Sequence, residues 1–266
     1  MTEYLPTKPK NFTTDLADHP EGEKSLHMPV SARNIHKLQN LGIENLWLIG
    51  ANEKDLRKIL SLVSLKYLNL YQVLAKELTI LETQNLCETI ILNWNTKATA
   101  LWDISKNINL NSLEIIDFSK IDDINQLSLA TQIRSLSVGG GHNKPLKIQT
   151  LEPIARLVNL TYLCLTNLKV VDDTLRPIGK LKNLDRLDLS NQFETSEYAW
   201  LATRLPNTDC KMFNAANPCT IVNADNEIVW DTMITGRRKP FLLSTEDEAK
   251  IQRYRHEFER LKIAFG

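Results

Sequence analysis

Aliphatic residues recur along this chain in a frame longer than any single helix or hairpin requires. Ile59 opens I-x2-L-x2-L-x2-L-x-L through Leu62, Leu65, Leu68 and Leu70. The frame returns at Ile154, Leu157, Leu160, Leu163 and Leu165, and again at Ile178, Leu181, Leu184, Leu187 and Leu189. Three copies of a five-position frame mark an internal repeat, and a repeat decides the fold class before any local assignment does. Looser copies of the terminal L-x2-L-x-L unit fit Ile43/Leu46/Leu48, Cys87/Ile90/Leu92, Leu113/Ile116/Phe118 and Ile133/Leu136/Val138, with Leu205/Thr208/Cys210 as a decayed last one. The central positions 46, 68, 90, 116, 136, 163, 187 and 208 are then 22, 22, 26, 20, 27, 24 and 21 residues apart.

In L-x2-L-x-L the last two apolar residues are two apart, so they share one face of a short strand while their neighbours point the other way. About fifteen residues separate successive strands, enough for a right-handed crossover to a parallel neighbour. Helical spacing in Asn52 to Leu62 (Leu56, Ile59, Leu60, Val63) and in Asp172 to Leu181 (Leu175, Ile178, Leu181) predicts helical crossovers. Asn52, Asp122 or Asp123, Asp172 and Ser196 stand as N-caps. One repeat buries about five large aliphatics, worth roughly 8 to 15 kcal/mol, against a backbone ordering cost of about 1 to 2 kcal/mol per residue. A lone repeat cannot fold, so neighbours must stack into one continuous core whose two ends are sealed.

These motifs resemble the leucine-rich repeat family in its short form of about 22 residues, as in bacterial cytoplasmic members, over roughly Ser31 to Pro218. The family often carries Asn three residues after the last leucine. Here Asn95 fits cleanly, while Val73, Ile121, Leu168 and Gln192 stand there in other repeats. The resemblance implies an α/β solenoid with a curved parallel sheet on the concave face, short helices on the convex face and a cap at each end. The chain divides accordingly. Residues 1–30 form a polar N-terminal segment expected to be partly disordered, residues 31–217 the solenoid, and residues 218–266 a C-terminal cap. Ser31 to Leu41 reads as an amphipathic first helix. Cys219 to Val222 and Glu227 to Trp230 read as a hairpin, and Thr245 to Ala264 as a helix with Ile251, Tyr254, Phe258 and Leu261 on its apolar stripe.

The residues between the leucines form the outward surface, which such arrays commonly use for binding. The first two rows place Asn69 there together with Trp47, Tyr67 and Tyr71, aromatics of the kind that anchor protein partners. Asp117, Arg134, Tyr162, Arg186 and Asp188 continue the patch. The competing account is that these aromatics pack under the N-terminal segment, folded across the concave mouth, or against one another. Alanine at Trp47 and Tyr71 is expected to weaken binding with little loss of stability.

Composition narrows the function. The chain has 32 basic and 32 acidic side chains, so no net field draws it to nucleic acid. No stretch is apolar enough to cross a membrane. Met1 to Asn11 lacks the apolar run of a secretory signal, which points to the cytoplasm. Cys87, Cys164, Cys210 and Cys219 have no metal-type spacing and read as packing thiols. His19, His27, His36, His142 and His256 are scattered, so no metal or other cofactor is expected. Gly139 to Gly141, before His142, lacks the phosphate-loop frame and reads as a permissive turn. The expectation is a monomeric, non-catalytic adaptor, inhibitor or regulator of another protein. One alternative is a cysteine-dependent enzyme of ubiquitin-ligase type acting through Cys219. Another is nucleic-acid contact through Arg237, Arg238, Lys239, Arg253, Arg255 and Arg260.

Overall fold

The computed structural model describes residues 5–266; residues 1–4 of the segment marked off as 1–30 lie outside it. Each aliphatic pair spaced two apart falls on the inner face of a short strand. The strands are β1 (Ser25–Pro29), β2 (Asn45–Ile49), β3 (Tyr67–Tyr71), β4 (Thr89–Asn95), β5 (Ser112–Phe118), β6 (Ser135–Gly139), β7 (Leu146–Ile148), β8 (Tyr162–Thr166), β9 (Leu168–Val170) and β10 (Arg186–Leu189). Eight of them make one sheet in the order β1-β2-β3-β4-β5-β6-β8-β10, parallel throughout, and β7 pairs β9 beside it. The protein is a leucine-rich repeat solenoid.

The pairing sets the leucines rung on rung. Leu26, Leu46, Leu68, Ile90, Leu113, Leu136, Leu163 and Leu187 form one column of the core. None of them is more than 1% exposed. One register departs from the sequence reading. In β5 the frame is Leu110/Leu113/Ile115, so Ile116 faces outward and Leu113 takes the central place. That frame buries Ile115, which the other would have left on the surface, and it evens the central spacings to 22, 22, 23, 23, 27 and 24 from Leu46 onward. The sheet also starts earlier than expected. Strand β1 lies within the segment marked off as 1–30, with Leu26 and Met28 fully buried.

The strands leave the sheet through a common bend. Gly50, Gln72, Trp94, Asp117 and Asn167, each directly after the last outward residue of its strand, all have φ between 48° and 84°. In the repeat between Asp117 and Asn167 the corresponding residue is Gly140. A Cβ there would lie 2.5 Å from the Asn167 carbonyl oxygen and from the Leu146 nitrogen. The Gly-Gly-Gly turn is thus dictated by close backbone approach rather than by left-handed geometry.

Opposite the sheet, α1 (Glu53–Leu60) is capped by Asn52, whose side chain accepts from the Asp55 amide at 3.0 Å. The other crossovers are short 3-10 turns, including Asn125–Leu129 and Arg176–Lys180. Asp123 accepts from the Asn125 amide at 2.7 Å. The turn after Asp172 is held instead by Thr174, whose hydroxyl accepts from the Arg176 amide at 3.1 Å. The helix expected over Ser31 to Leu41 is likewise a 3-10 turn, Ile35–Asn40. Ser196 sits inside α2 (Thr195–Arg204), which starts after Glu194.

Amide side chains tie the rungs together. Buried Asn95 donates to the Ala75 carbonyl at 3.0 Å and accepts from the Lys97 and Ala98 amides at 2.7 and 2.8 Å. Asn107 donates to the carbonyls of Leu81 and Gln84 and accepts from the Trp102 indole. Asn109, Asn159 and Asn183 each donate at 2.8 Å to a carbonyl one repeat back.

Both ends of the core are covered. The Thr13 amide donates to the His27 carbonyl at 2.8 Å on the outer edge of β1, and Leu16 is buried beneath it. At the other end β11 (Ala216–Val222), β12 (Ile228–Ile234) and β13 (Phe241–Leu242) form an antiparallel sheet. Helix α3 (Ser244–Phe265) packs on α2 and on this sheet, burying Ile251 and Phe258.

Candidate functional site

The register fixes which outward residues are neighbours. The middle row of the concave face runs His27, Trp47, Asn69, Ile91, Glu114, Ser137, Cys164 and Asp188, one residue from each strand. The row beside it runs Pro29, Ile49, Tyr71, Asn93, Ile116, Gly139 and Thr166. The sequence-derived site residues fall into two groups on this grid, with two outliers.

Trp47, Tyr67, Asn69 and Tyr71 come together on β2 and β3. The Trp47 and Tyr67 rings lie 4.7 Å apart, and the Asn69 amide donates to the Tyr67 hydroxyl at 3.3 Å. Trp47 and Tyr67 are only 5% and 4% exposed, contrary to the expectation of two free aromatics. They pack against each other, and Lys8 of the N-terminal segment, His27, Tyr71, Asn93 and Glu114 ring the hollow of about 440 Å³ that Trp47 lines. Tyr71 remains 43% exposed.

Tyr162, Arg186 and Asp188 form the second group on β8 and β10. The Tyr162 hydroxyl donates to Asp188 Oδ2 at 2.9 Å, and Arg186 pairs with the same carboxylate at 3.0 Å, its guanidinium 5.7 Å from the Tyr162 ring. Burial, and then the negative charge and acceptor of Asp188, push the Tyr162 hydroxyl well above its usual range. The group is therefore a neutral phenol hydrogen-bonded to a carboxylate that is ion-paired with Arg186, an arrangement that can hydrogen-bond a ligand.

Asp117 and Arg134 do not join either group. Asp117 occupies the left-handed bend near the end of β5, a consequence of the corrected register. Arg134 stands before β6 at the opposite rim, where its carbonyl accepts the Thr161 and Tyr162 amides, and its side chain is exposed.

Two contributors escaped the sequence reading. Trp94, 36% exposed, meets Tyr71 edge to face with ring centroids 5.8 Å apart. It lies one residue beyond the last outward position, and only the shared bend brings it to the rim. His27 is the other. Strand β1 has Glu23 where the repeat frame asks for a leucine, so periodicity missed it. Its ring meets Phe12 edge to face at 4.7 Å, and both ring nitrogens are buried without hydrogen-bond partners. Burial first, and Lys8 second, hold its pKa below the ordinary value.

Among the described residues no three His, Cys, Asp or Glu side chains converge to hold a metal ion, and no helix is long and apolar enough to cross a membrane. All four cysteines are free, and burial pushes the Cys87 and Cys210 thiols up to about 12.

Comparison with solved structures finds similarity to internalins, leucine-rich repeat proteins of Listeria monocytogenes. Internalin C2 is 23% identical, with 56% of this chain and 64% of that one covered at a TM-score of 0.44. Internalin InlF is 18% identical, with 66% and 56% covered at 0.46. The functional domain of InlJ, which includes a cysteine ladder, is 12% identical, with 85% and 64% covered at 0.43. The matched region thus spans less than two thirds of each of those chains. A scan against protein-family models and a search of curated proteins find no match.

Proposed function

We propose that the protein is a non-catalytic scaffold that binds another protein through its concave face, with Tyr71 and Trp94 as the exposed contact residues and Trp47, Tyr67 and Asn69 as the packed floor that supports them. The observation that carries this reading is the Tyr71–Trp94 pair, two large aromatics 43% and 36% exposed, of which Tyr71 lines the hollow of about 440 Å³. Paired aromatics of low rotamer entropy beside a pocket are what interface hot spots are made of. Tyr162, Arg186 and Asp188 supply a polar flank on the same face, where one phenol and one exposed guanidinium can hydrogen-bond a partner.

Two further points support the reading. Cys219, the thiol a cysteine enzyme would need, sits on β11 with its pKa raised by burial. Arg237, the first residue of the basic tail, is already paired with Asp173 at 2.6 Å and Glu194 at 2.8 Å, which subtracts from any field for nucleic acid. Four free thiols are what a reducing compartment would maintain, which supports a cytoplasmic location as part of this reading.

The test is capture of partners by the wild type and by two double variants, Tyr71→Ala/Trp94→Ala on the concave rim and Lys54→Gln/Lys58→Gln on α1. The reading expects a partner retained by wild type and the α1 variant and lost from the rim variant. Equal capture by all three would end it.

A further inference from the structure

Beside the main sheet, β7 and β9 turn Leu146, Ile148, Leu168 and Val170 into the core and Lys147 and Lys169 outward. The two lysines are direct register partners on adjacent parallel strands. Neighbouring strands are about 4.8 Å apart, and like charges set opposite each other in this way are destabilising. Elsewhere the same molecule alternates sign from rung to rung, as in Lys24–Glu44–Lys66, where Glu44 pairs with both lysines at 2.5 and 2.9 Å. Among the described residues neither Lys147 nor Lys169 has an ion-pair partner.

The pair lines a hollow of about 450 Å³ with an apolar floor of Leu168, Val170 and Phe193. Its far wall is Arg237, on a loop pinned to the solenoid: the Gly236 amide donates to Asn191 Oδ1 at 2.6 Å, the Arg237 amide to the Phe193 carbonyl at 2.7 Å, and the Thr195 hydroxyl to the Thr235 carbonyl at 2.9 Å. The charged side chains lining the hollow are Lys147, Lys169, Arg237 and Asp173, a net charge of two positive. Glu194, which also pairs with Arg237 from outside the lining, lowers the local sum to one, and among the described residues the two lysines themselves have no carboxylate against them.

We infer that this hollow, at the junction of the solenoid and its C-terminal cap, is a binding site for a phosphate monoester. Such a group carries about −1.5 to −2 charges at pH 7, which matches the uncompensated lysine pair, whereas a single carboxylate neutralises half of it. Lysine ammonium groups serve as mobile point-charge donors to phosphate oxygens, and the apolar floor accommodates the carbon body of the ester. The site is distinct from the concave face, so it stands or falls separately from the protein-binding reading.

Calorimetric titration at low salt with phenyl phosphate, a neutral peptide bearing one phosphoserine, inorganic phosphate and acetate tests the assignment. Saturable one-to-one binding of phenyl phosphate is expected, at least tenfold weaker in Lys147→Gln/Lys169→Gln and unchanged in Lys54→Gln/Lys58→Gln, which loses the same net charge elsewhere. Tighter binding of the peptide points to a phosphorylated side chain as the source, and tighter binding of phenyl phosphate to a free ester; either supports the site. A phosphate-dependent rise in Tm that the first variant lacks supports it independently of any folding defect. Non-saturable binding, equal loss in both variants, or acetate binding as tightly as phenyl phosphate would overturn it.

Discussion

Trp94 reaches Tyr71 from a backbone position with φ 63°, its ring centroid 5.8 Å from the tyrosine's. A left-handed conformation costs an aromatic residue about 1 kcal/mol or more, and here the ring is held at the surface rather than in the core. Replacement by glycine removes the backbone cost together with the ring. Trp94→Gly is therefore expected to leave stability within about 1 kcal/mol of wild type while weakening partner binding. Urea unfolding and a binding titration read the two effects apart, and a stability loss several times larger would make Trp94 a packing residue.

Trp47 should behave in the opposite way. It faces the concave side, yet it is 5% exposed and stacked on Tyr67 at 4.7 Å. Trp47→Ala is expected to cost about 3 kcal/mol, in the range of buried aromatic truncations, and to lower the urea midpoint without changing the slope. Tyr71→Ala, at a 43% exposed position, is expected to cost less than about 1 kcal/mol. If the two variants were equally mild, Trp47 would be the free anchor that its place in the repeat suggested.

The burial of Trp47 on the outward face marks what a repeat sequence can and cannot reveal. Periodicity assigns each residue to a face, and it did so correctly for Trp47, Asn69, Tyr162 and Asp188. Burial on the outward face depends on neighbours one repeat away, such as Tyr67 and His27, and on chain from the N-terminal segment. The β5 register failed for a related reason. Leu110, Leu113, Ile115, Ile116 and Phe118 satisfy two overlapping frames, and only the pairing of Leu113 with Ile90 and Leu136 selects one. Strand β1 was invisible because Glu23 breaks the frame, although Leu26 and Met28 complete it in space.

His27 makes the N-terminal cover sensitive to pH. Burial holds its pKa below 6.5, so the unfolded chain takes up a proton near that pH which the folded chain refuses. Its contribution is intact above pH 6.5, declines as pH falls through that value, and stops declining once the native ring is itself protonated. The difference in urea midpoint between pH 7.5 and 5.5 is therefore expected to be smaller in His27→Phe than in wild type. A difference of the same size in both would mean that the ring is solvated in the native state.

The amide ladder and the glycine turn offer a contrast between buried and exposed links of the solenoid. Asn95 is fully buried and serves three backbone groups, so Asn95→Ala strands the buried Ala75 carbonyl and Ala98 amide away from water and loses the bond to the Lys97 amide as well. Each stranded group costs about 1 to 3 kcal/mol, which places the variant at about 3 kcal/mol or beyond. Asn109 makes a single exposed bond, to the Asn85 carbonyl, and water replaces it, so Asn109→Ala should cost less than about 1 kcal/mol. Gly140→Ala belongs with the first of these. Its new methyl would lie 2.5 Å from backbone atoms of Asn167 and Leu146, which cannot rotate away, so β7 and β9 must part to admit it. Hydrogen exchange of the Leu146 amide, bonded to the Asn167 carbonyl at 3.0 Å, should accelerate in that variant before the global unfolding midpoint moves by a comparable amount. Unchanged protection at Leu146 would show that the turn accepts a side chain and that its three glycines are not required by packing.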